Sequence, residues 1–128
     1  KIDLEPFLFY FNIKVWGEKL EIELKTGKKM KLEVSSLLLE YLEDYEGGLD
    51  QLKKDAEGQK DKNGYTKTMY ATNQILYAVI ASNSEEELTY RQAVKLVKLE
   101  DIEKIVNFVI EEVDKIKSNK IVKFNHRN

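Results

Sequence analysis

Histidine and cysteine, the side chains that most often carry nucleophilic, acid–base and metal chemistry, are almost absent from this sequence. It contains no cysteine, and its one histidine, His126, lies close to the end of the chain. No acid or hydroxyl is held near His126 by a predicted element, whereas a catalytic or metal site needs rigid support. We therefore predict an exposed terminal histidine and exclude histidine-based nucleophile pairs and thiolate chemistry.

Carboxylates and glycines are the remaining candidates for chemistry, and each has a simpler structural interpretation. The segment Asp61–Gly64 lacks the alternating acids and the closing glutamate of a calcium loop. Gly47 and Gly48 lack the Lys-Ser/Thr that follows in a phosphate loop, and we interpret them as a helix stop. Four acids lie opposite an apolar helical stripe, which predicts a solvated face: Glu40, Glu43, Asp44 and Glu46. We thus predict no catalytic residue, no metal and no cofactor.

Length and composition indicate one folded domain, residues 1–128. Hydrophobic residues make up 42% and charged residues 34%, a balance that argues against disorder. The formal net charge is −2, so the chain lacks the basic character of nucleic-acid-binding proteins. Its longest apolar stretches, Phe7–Phe11 and Ile75–Ala81, are far shorter than the ~20 residues of a membrane-spanning helix. Together with the lack of cysteine, this predicts a cytoplasmic protein with neither a membrane nor a nucleic-acid partner.

Alternation of apolar and polar residues predicts strands in residues 1–34. A run apolar on both faces covers Phe7–Trp16, and two alternating runs cover Leu20–Leu24 and Met30–Val34. Because short glycine-containing turns join these runs, we expect an antiparallel three-stranded meander, or the hairpin Leu20–Val34 alone. The two-sided first run would pair at its edge with a second chain, so we also expect a homo-oligomer.

Helical spacing and capping residues predict about five helices over residues 35–117, followed by a polar tail at 118–128. The first predicted helix starts at the cap Ser35–Ser36 and stops at Gly47–Gly48, and the second covers Leu49 to Ala56. The third spans Thr66 to Ser82, and the fourth runs from the capping box Thr89–Gln92 to near Lys98. The fifth carries an apolar stripe from Ile102 to Ile116. With the strands, these elements define an α+β fold.

The third and fifth predicted helices are expected to form most of the core. One face of the third carries Met69, Leu76, Tyr77 and Ile80. The fifth has four charged residues off its apolar stripe: Glu111, Glu112, Asp114 and Lys115. The contacts between the two helices should join two sets, Leu76, Tyr77 and Ile80 on one side and Val106, Val109 and Val113 on the other.

The first predicted helix carries more apolar surface than one core-facing stripe requires. Its core-facing residues should be Leu38, Tyr41, Leu42 and Tyr45. Leu37, together with Tyr70 of the third helix, would then form an apolar groove rimmed by Glu40 and Glu43. Such an acidic rim favours a basic amphipathic helix as partner. Six of the seven tyrosines fall in the helical half, where they either line the rim of the core or contribute to such an interface: Tyr41, Tyr45, Tyr65, Tyr70, Tyr77 and Tyr90.

The order of elements from about Leu20 to Lys117 resembles the tail assembly chaperones of tailed phages and prophages of low-GC Gram-positive bacteria. The segments that carry the resemblance are, in order, LEIELKTGKKMKLEVSS, LLLEYLEDYEGG, TKTMYATNQILYAVIAS, LTYRQAVKLV and EDIEKIVNFVIEEV. The resemblance implies a non-catalytic protein of the host cytoplasm that binds the tape-measure protein and keeps it in solution. It further implies that the protein helps to recruit the major tail protein and is absent from the mature virion.

Two other classes of function stay open from the residues alone. A small adaptor or inhibitor module that binds a host or phage protein would show the same composition. An enzyme would need a site built from carboxylates, lysines and tyrosines only, with titration perturbed by their convergence in a pocket. Gene neighbourhood separates the tail chaperone from the adaptor or inhibitor. For a chaperone, the resemblance implies neighbouring genes for the tape-measure and major tail proteins.

Overall fold

The structure, a computed structural model, describes residues 19–58 and 66–127, with side chains from Lys67 to Ile116 in the second range. Within these ranges the elements are β1 (Leu20–Glu23), β2 (Lys29–Leu32), α1 (Ser36–Glu43), α2 (Gly48–Ala56), α3 (Thr66–Ser82), α4 (Tyr90–Lys95), a 3-10 turn (Leu99–Asp101) and α5 (Ile102–Arg127). This confirms an α+β fold in which a hairpin precedes five helices. The predicted strand Phe7–Trp16, on which the expected homo-oligomer rests, and the segment Asp61–Gly64 lie outside the described residues.

Strands β1 and β2 form the predicted antiparallel hairpin. Leu20 pairs with Leu32 and Ile22 with Met30 on the face turned to the core. The opposite face is exposed and pairs unlike charges across the strands, Glu21 with Lys31 and Glu23 with Lys29, which stabilises a hairpin modestly. The turn between the strands contains Gly27 at φ +90°, a backbone angle that favours glycine.

Helix α3 is the centre of the molecule, as its apolar pattern predicts. It packs against α1, α2, α4 and α5. Its buried residues are Ala71, Ile75, Leu76, Ala78, Val79, Ile80 and Ala81. Met69, which we expected on the buried face, is exposed instead. It shares the stripe of Leu76 and Ile80 but precedes Ala71, the first buried residue of α3, so the described neighbours do not cover it.

Helix α5 packs on α3 through the predicted stripe. Leu76 and Ile80 share one buried cluster with Val106, Val109 and Val113, and Tyr77 packs partly buried against that cluster. The backbone of α5 continues to Arg127, so residues 118–127 extend this helix.

Glu112 corrects the prediction that the charged residues of α5 lie off its apolar stripe. Its side chain is only 1% exposed. Three residues after Val109 and seven after Ile105, it lies at the border of the stripe rather than opposite it. Its Oε2 accepts a hydrogen bond of 2.8 Å from Lys115 Nζ, whereas its buried Oε1 has no hydrogen-bond partner among the described residues.

Side-chain caps determine where α1 and α4 begin. Ser35 Oγ accepts a hydrogen bond from the backbone N–H of Leu38, and Thr89 and Gln92 form the predicted capping box. Each such cap stabilises a helix by about 1 kcal/mol. Helix α4 ends at Lys95 rather than near Lys98, because the backbone N–H groups of the next two residues bond back to Ala93 and Val94 in tighter turns.

Asn83, the residue after α3, fastens the hairpin to the helices. Its Oδ1 accepts a hydrogen bond from the backbone N–H of Glu33 at 3.2 Å, and its Nδ2 donates to the Glu33 carbonyl at 3.0 Å. The same Nδ2 donates to the carbonyl of Val79 at 2.8 Å. One amide side chain therefore satisfies the backbone of residue 33 where the chain leaves β2. A second long-range contact joins α2 to α5, where Lys53 binds both carboxylate oxygens of Asp114 at 3.2 and 2.9 Å.

Candidate functional site

Four tyrosines lie where α1 and the turn after it pack against α3, and the ring of Tyr90 at the start of α4 contacts one of them. We call these five residues the tyrosine row: Tyr41, Tyr45, Tyr70, Tyr77 and Tyr90. The rings of Tyr41 and Tyr77 meet edge to face with centroids 5.1 Å apart, and Tyr77 and Tyr90 are 5.7 Å apart. The rings of Tyr45 and Tyr70 form a second edge-to-face pair at 6.4 Å. The row therefore presents two groups of contacting rings on one surface.

Helical spacing and antiparallel packing together produce this row. Tyr41 lies in the last turn of α1 and Tyr45 in the turn that follows it, while Tyr70 and Tyr77 are two turns apart on α3. Tyr41 meets Tyr77 whereas Tyr45 meets Tyr70, so the two helices are antiparallel. Tyr90 is the first residue of α4, where the Thr89 cap positions it beside Tyr77.

The rings of the row combine a buried base with an exposed surface. Tyr41, Tyr45 and Tyr77 are half-buried and pack against the core. Burial and the neighbouring Tyr41 raise the pKa of the Tyr77 phenol above its usual range. Tyr70 is 64% exposed, and Tyr90 is also exposed. Rings of this kind are typical of interfaces, because they offer a rigid apolar face together with a polar tip.

An open cleft of about 630 Å³ lies at one end of the row, between the α1–α2 turn, α2 and the first turns of α3. We call it the Tyr45–Tyr70 cleft. Its lining consists of Asp44, Tyr45, Glu46, Gly47, Gln51, Asp55, Lys67, Tyr70 and Gln74. Gly47 shapes the turn at φ +94°, where an added Cβ would lie 2.6 Å from Gln51 Cβ. A side chain at position 47 would therefore be strained and would displace Gln51 from the cleft wall.

A hydrogen bond between Tyr45 and Asp55 holds one wall of the cleft. The Tyr45 hydroxyl donates to Asp55 Oδ2 at 2.5 Å, and Gln51 Nε2 donates to Asp55 Oδ1 at 2.9 Å. Burial and this bond raise the pKa of the Tyr45 phenol well above its usual range. The bond from Tyr45 lowers the pKa of the Asp55 carboxyl below its usual range. The Tyr45 ring is therefore fixed in position, and Asp55 is stabilised in its charged form.

The Tyr45–Asp55 bond predicts a pH-dependent effect of Tyr45→Phe. Because the folded pKa of Asp55 is lowered, its contribution to stability is present above its unfolded pKa of about 3.9 and is lost as the pH falls through the folded value. Tyr45→Phe should lower the free energy of unfolding by about 1 kcal/mol at pH 7, and by clearly less at pH 2.5. Urea unfolding at both pH values measures this, with Tyr90→Phe as the control. An equal loss at both values would contradict the assignment.

The four residues predicted to form a partner groove are exposed, but they do not form one groove. Leu37 is 45% exposed, and Glu40, Glu43 and Tyr70 are exposed as well. Tyr41, one turn after Leu37, meets Tyr77, which lies about 10 Å along α3 from Tyr70. Leu37 is farther still. The structure thus groups Tyr70 with Tyr45 at the end of α1 and leaves Leu37 at its beginning.

The acids nearest to Tyr70 are not the predicted pair. Asp44 and Glu46 line the cleft together with Tyr70. The Glu43 side chain lies near Gly48 instead, because a Cβ added at Gly48 would be 3.7 Å from Glu43 Oε2. The sequence predicted a solvated face for Asp44 and Glu46 and gave Asp55 no role, while Lys67 was one of a group of basic residues around the loop before α3. The sequence did contain one indication of this contact, since Tyr45 and Asp55 lie ten residues apart on either side of the turn at Gly47 and Gly48.

Within the described ranges, no group of three or more histidine and carboxylate side chains is arranged to hold a metal ion. None of the helices searched there combines the length and the apolar content that crossing a bilayer requires. Comparison with protein-family models, with characterised proteins and with solved structures finds no match to this chain. The arrangement of rings and carboxylates in the tyrosine row and its cleft is suited to binding, because cation–π and apolar contacts need no activated group.

Proposed function

We propose that this protein is a non-catalytic tail assembly chaperone that binds its client, the tape-measure protein, through the tyrosine row. The observation that carries the proposal is the row itself, which exposes Tyr70 and Tyr90 on a base of half-buried rings. Exposed aromatics that cluster on one surface of a small domain are a recognised mark of a protein-binding site. The succession of a hairpin and five helices supports the same proposal, because it follows the order on which the resemblance rests.

The geometry of the row suits a long apolar helix. Tyr70 and Tyr77 alone cover about 10 Å along α3, and Tyr90 extends the line at the α4 end. A client helix lying along the seam would present residues at i, i+3, i+4 and i+7 to successive rings. Because the rings of the half-buried tyrosines are already packed, they lose little conformational entropy on binding.

Acidic residues flank the row and would act on both solubility and choice of partner. Seven exposed acids lie on the elements that carry the row or next to them: Glu40, Glu43, Asp44, Glu46, Glu85, Glu86 and Glu87. Like charges would oppose association of two copies through this face, while a client with basic flanks would be attracted to it. The chaperone would hold the tape-measure protein in solution in the host cytoplasm, help recruit the major tail protein and leave before the virion is complete.

Capture of the client by a tyrosine-row variant tests the proposal. The double variant Tyr70→Ser, Tyr90→Ser should keep its free energy of unfolding within about 1 kcal/mol of the parent, since both side chains are exposed. It should lose most of its capture of a co-expressed tape-measure fragment encoded by a neighbouring gene. Leu99→Ser is the matched control, because Leu99 is 83% exposed and lies on the 3-10 turn before α5, which carries no residue of the row. Equal capture by the folded double variant and the control would refute the proposal.

A further inference from the structure

The Tyr45–Tyr70 cleft differs in character from the rest of the tyrosine row. The other rings contact one another and the core, whereas this cleft brings two rings together with the carboxylates of Asp44, Glu46 and Asp55. Of the described residues in its lining, one is a cation, Lys67. The cleft therefore joins aromatic faces with an excess of negative charge, the two features that bind an organic cation.

We propose that the Tyr45–Tyr70 cleft binds an arginine side chain of the protein partner. The inference rests on the proposed function only in that it requires a protein partner, and it adds the chemistry of the anchoring residue. A guanidinium group would stack on the open face of Tyr70 and donate hydrogen bonds to the carboxylates at the α1–α2 turn.

The first reason is unpaired negative charge. Asp44 and Glu46 are exposed, and neither forms an ion pair among the residues that the structure describes. Asp55 already accepts hydrogen bonds from Tyr45 and Gln51. Asp44 and Glu46 are thus acceptors that none of the described residues occupies, while Asp55 adds to the negative potential from the cleft wall.

The second reason is the geometry of the rings. Tyr45 and Tyr70 are nearly perpendicular, with an angle of 83° between their planes. Tyr45 is held by its bond to Asp55, and Tyr70 presents its ring to solvent. A planar guanidinium can lie flat on one ring and point its N–H groups at a carboxylate beside it, whereas a lysine ammonium offers a compact point charge. The amide oxygens of Gln51 and Gln74, which also line the cleft, provide further hydrogen-bond acceptors.

The positive charge of Lys67 opposes binding of a cation in the cleft. Removing that charge therefore tests the inference through an expected increase in affinity. Its charge lies close enough to lower the pKa of Asp55 in addition to the larger effect of Tyr45. Removing that charge leaves the three carboxylates of the cleft without a competing cation among the residues that the structure describes. Lys67→Gln should therefore increase the affinity for a guanidinium, which a merely structural role of Lys67 would not produce.

The test is a titration of the full chain with N-acetyl-arginine amide, followed by NMR at the rings of Tyr45 and Tyr70. Saturable shifts are expected with a dissociation constant on the order of 1 mM, a plausible value for a ligand of this size. The neutral citrulline counterpart should bind at least tenfold more weakly, and the lysine counterpart several-fold more weakly. Tyr70→Leu and Glu46→Gln should each weaken binding about threefold, and Lys67→Gln should strengthen it about threefold. Glu100→Gln and Leu99→Ser, both away from the cleft, are the controls.

Three outcomes overturn the inference: equal binding of the citrulline counterpart, equal binding of the lysine counterpart, or shifts centred outside the cleft. The result is independent of the client experiment. If the arginine amide binds as described but no tape-measure fragment is captured, the cleft assignment stands and the proposed function fails. If the fragment is captured through the row while the amide does not bind in the cleft, the function stands and the arginine anchor is wrong.

Discussion

Replacing Ile80 by alanine should lower the free energy of unfolding by about 2–5 kcal/mol. Ile80 is fully buried on α3, the helix that packs against all four others. The substitution removes three methyl or methylene groups and leaves a cavity that the surrounding helices fill only in part. Against the 5–15 kcal/mol total of a typical domain, this is a large fraction of the stability.

Urea unfolding followed by circular dichroism measures this loss. The midpoint should fall while the slope with urea stays constant, since the surface exposed on unfolding barely changes. Leu99→Ala removes a comparable side chain from an 83% exposed position and should change stability by less than about 0.5 kcal/mol. Similar losses for the two variants would show that α3 is not the centre of the core.

Removing the partner of the buried Glu112 should have the next largest effect. Lys115→Met should cost about 2 kcal/mol, because it takes away the hydrogen bond to Oε2 and leaves a buried carboxylate whose Oε1 has no partner. Lys115 is 43% exposed, which places the expected cost below that of breaking a fully buried ion pair.

A double-mutant cycle isolates this pair. Glu112→Met is close in size to the native side chain and removes the buried charge, so alone it should be neutral or stabilising. In that background, Lys115→Met should cost less than about 1 kcal/mol. The difference between the two costs is the coupling energy, which thermal or urea unfolding of the four chains provides. An unchanged cost in the Glu112→Met background would mean that Lys115 acts through other contacts.

The local features of the fold were predictable because each follows from neighbouring residues. The alternation Leu20–Leu24 and Met30–Val34 defined the hairpin, and the Ser35 and Thr89 caps marked two helix starts. Helix α3 has the predicted bounds, Thr66 to Ser82. The length of the regular apolar pattern made these elements recognisable without any tertiary information.

The misplaced residues depend on what covers a helix rather than on its own pattern. Met69 belongs to the apolar stripe of α3 by spacing, yet the described neighbours begin to cover that helix only at Ala71. Glu112 is charged but lies next to the stripe of α5, where Lys115 offsets part of its charge. Periodicity assigns a face to each residue and carries no information about where the neighbouring helix starts.

The candidate site could be predicted only in part for the same reason. Tyr70 and the acids at the end of α1 were both considered, but their grouping depends on the antiparallel direction of α1 and α3. The sequence pattern allowed Leu37 as the neighbour of Tyr70, whereas the packing makes it Tyr45. Asp55 enters the site from α2 through one hydrogen bond, and no local pattern of charge indicates that contact.

The position of α3 in the middle of both the chain and the core has a consequence for folding during synthesis. The hairpin, α1 and α2 leave the ribosome before α3, on which α1 and α2 pack, is complete at Ser82. The fastening contacts span long loops, 50 residues for Asn83 with Glu33 and 61 for Lys53 with Asp114. Closing such loops precedes the contacts that stabilise them, which slows folding. We therefore expect the N-terminal half of the chain to stay without tertiary structure until α3 docks, and α5 to complete the core only after its own synthesis.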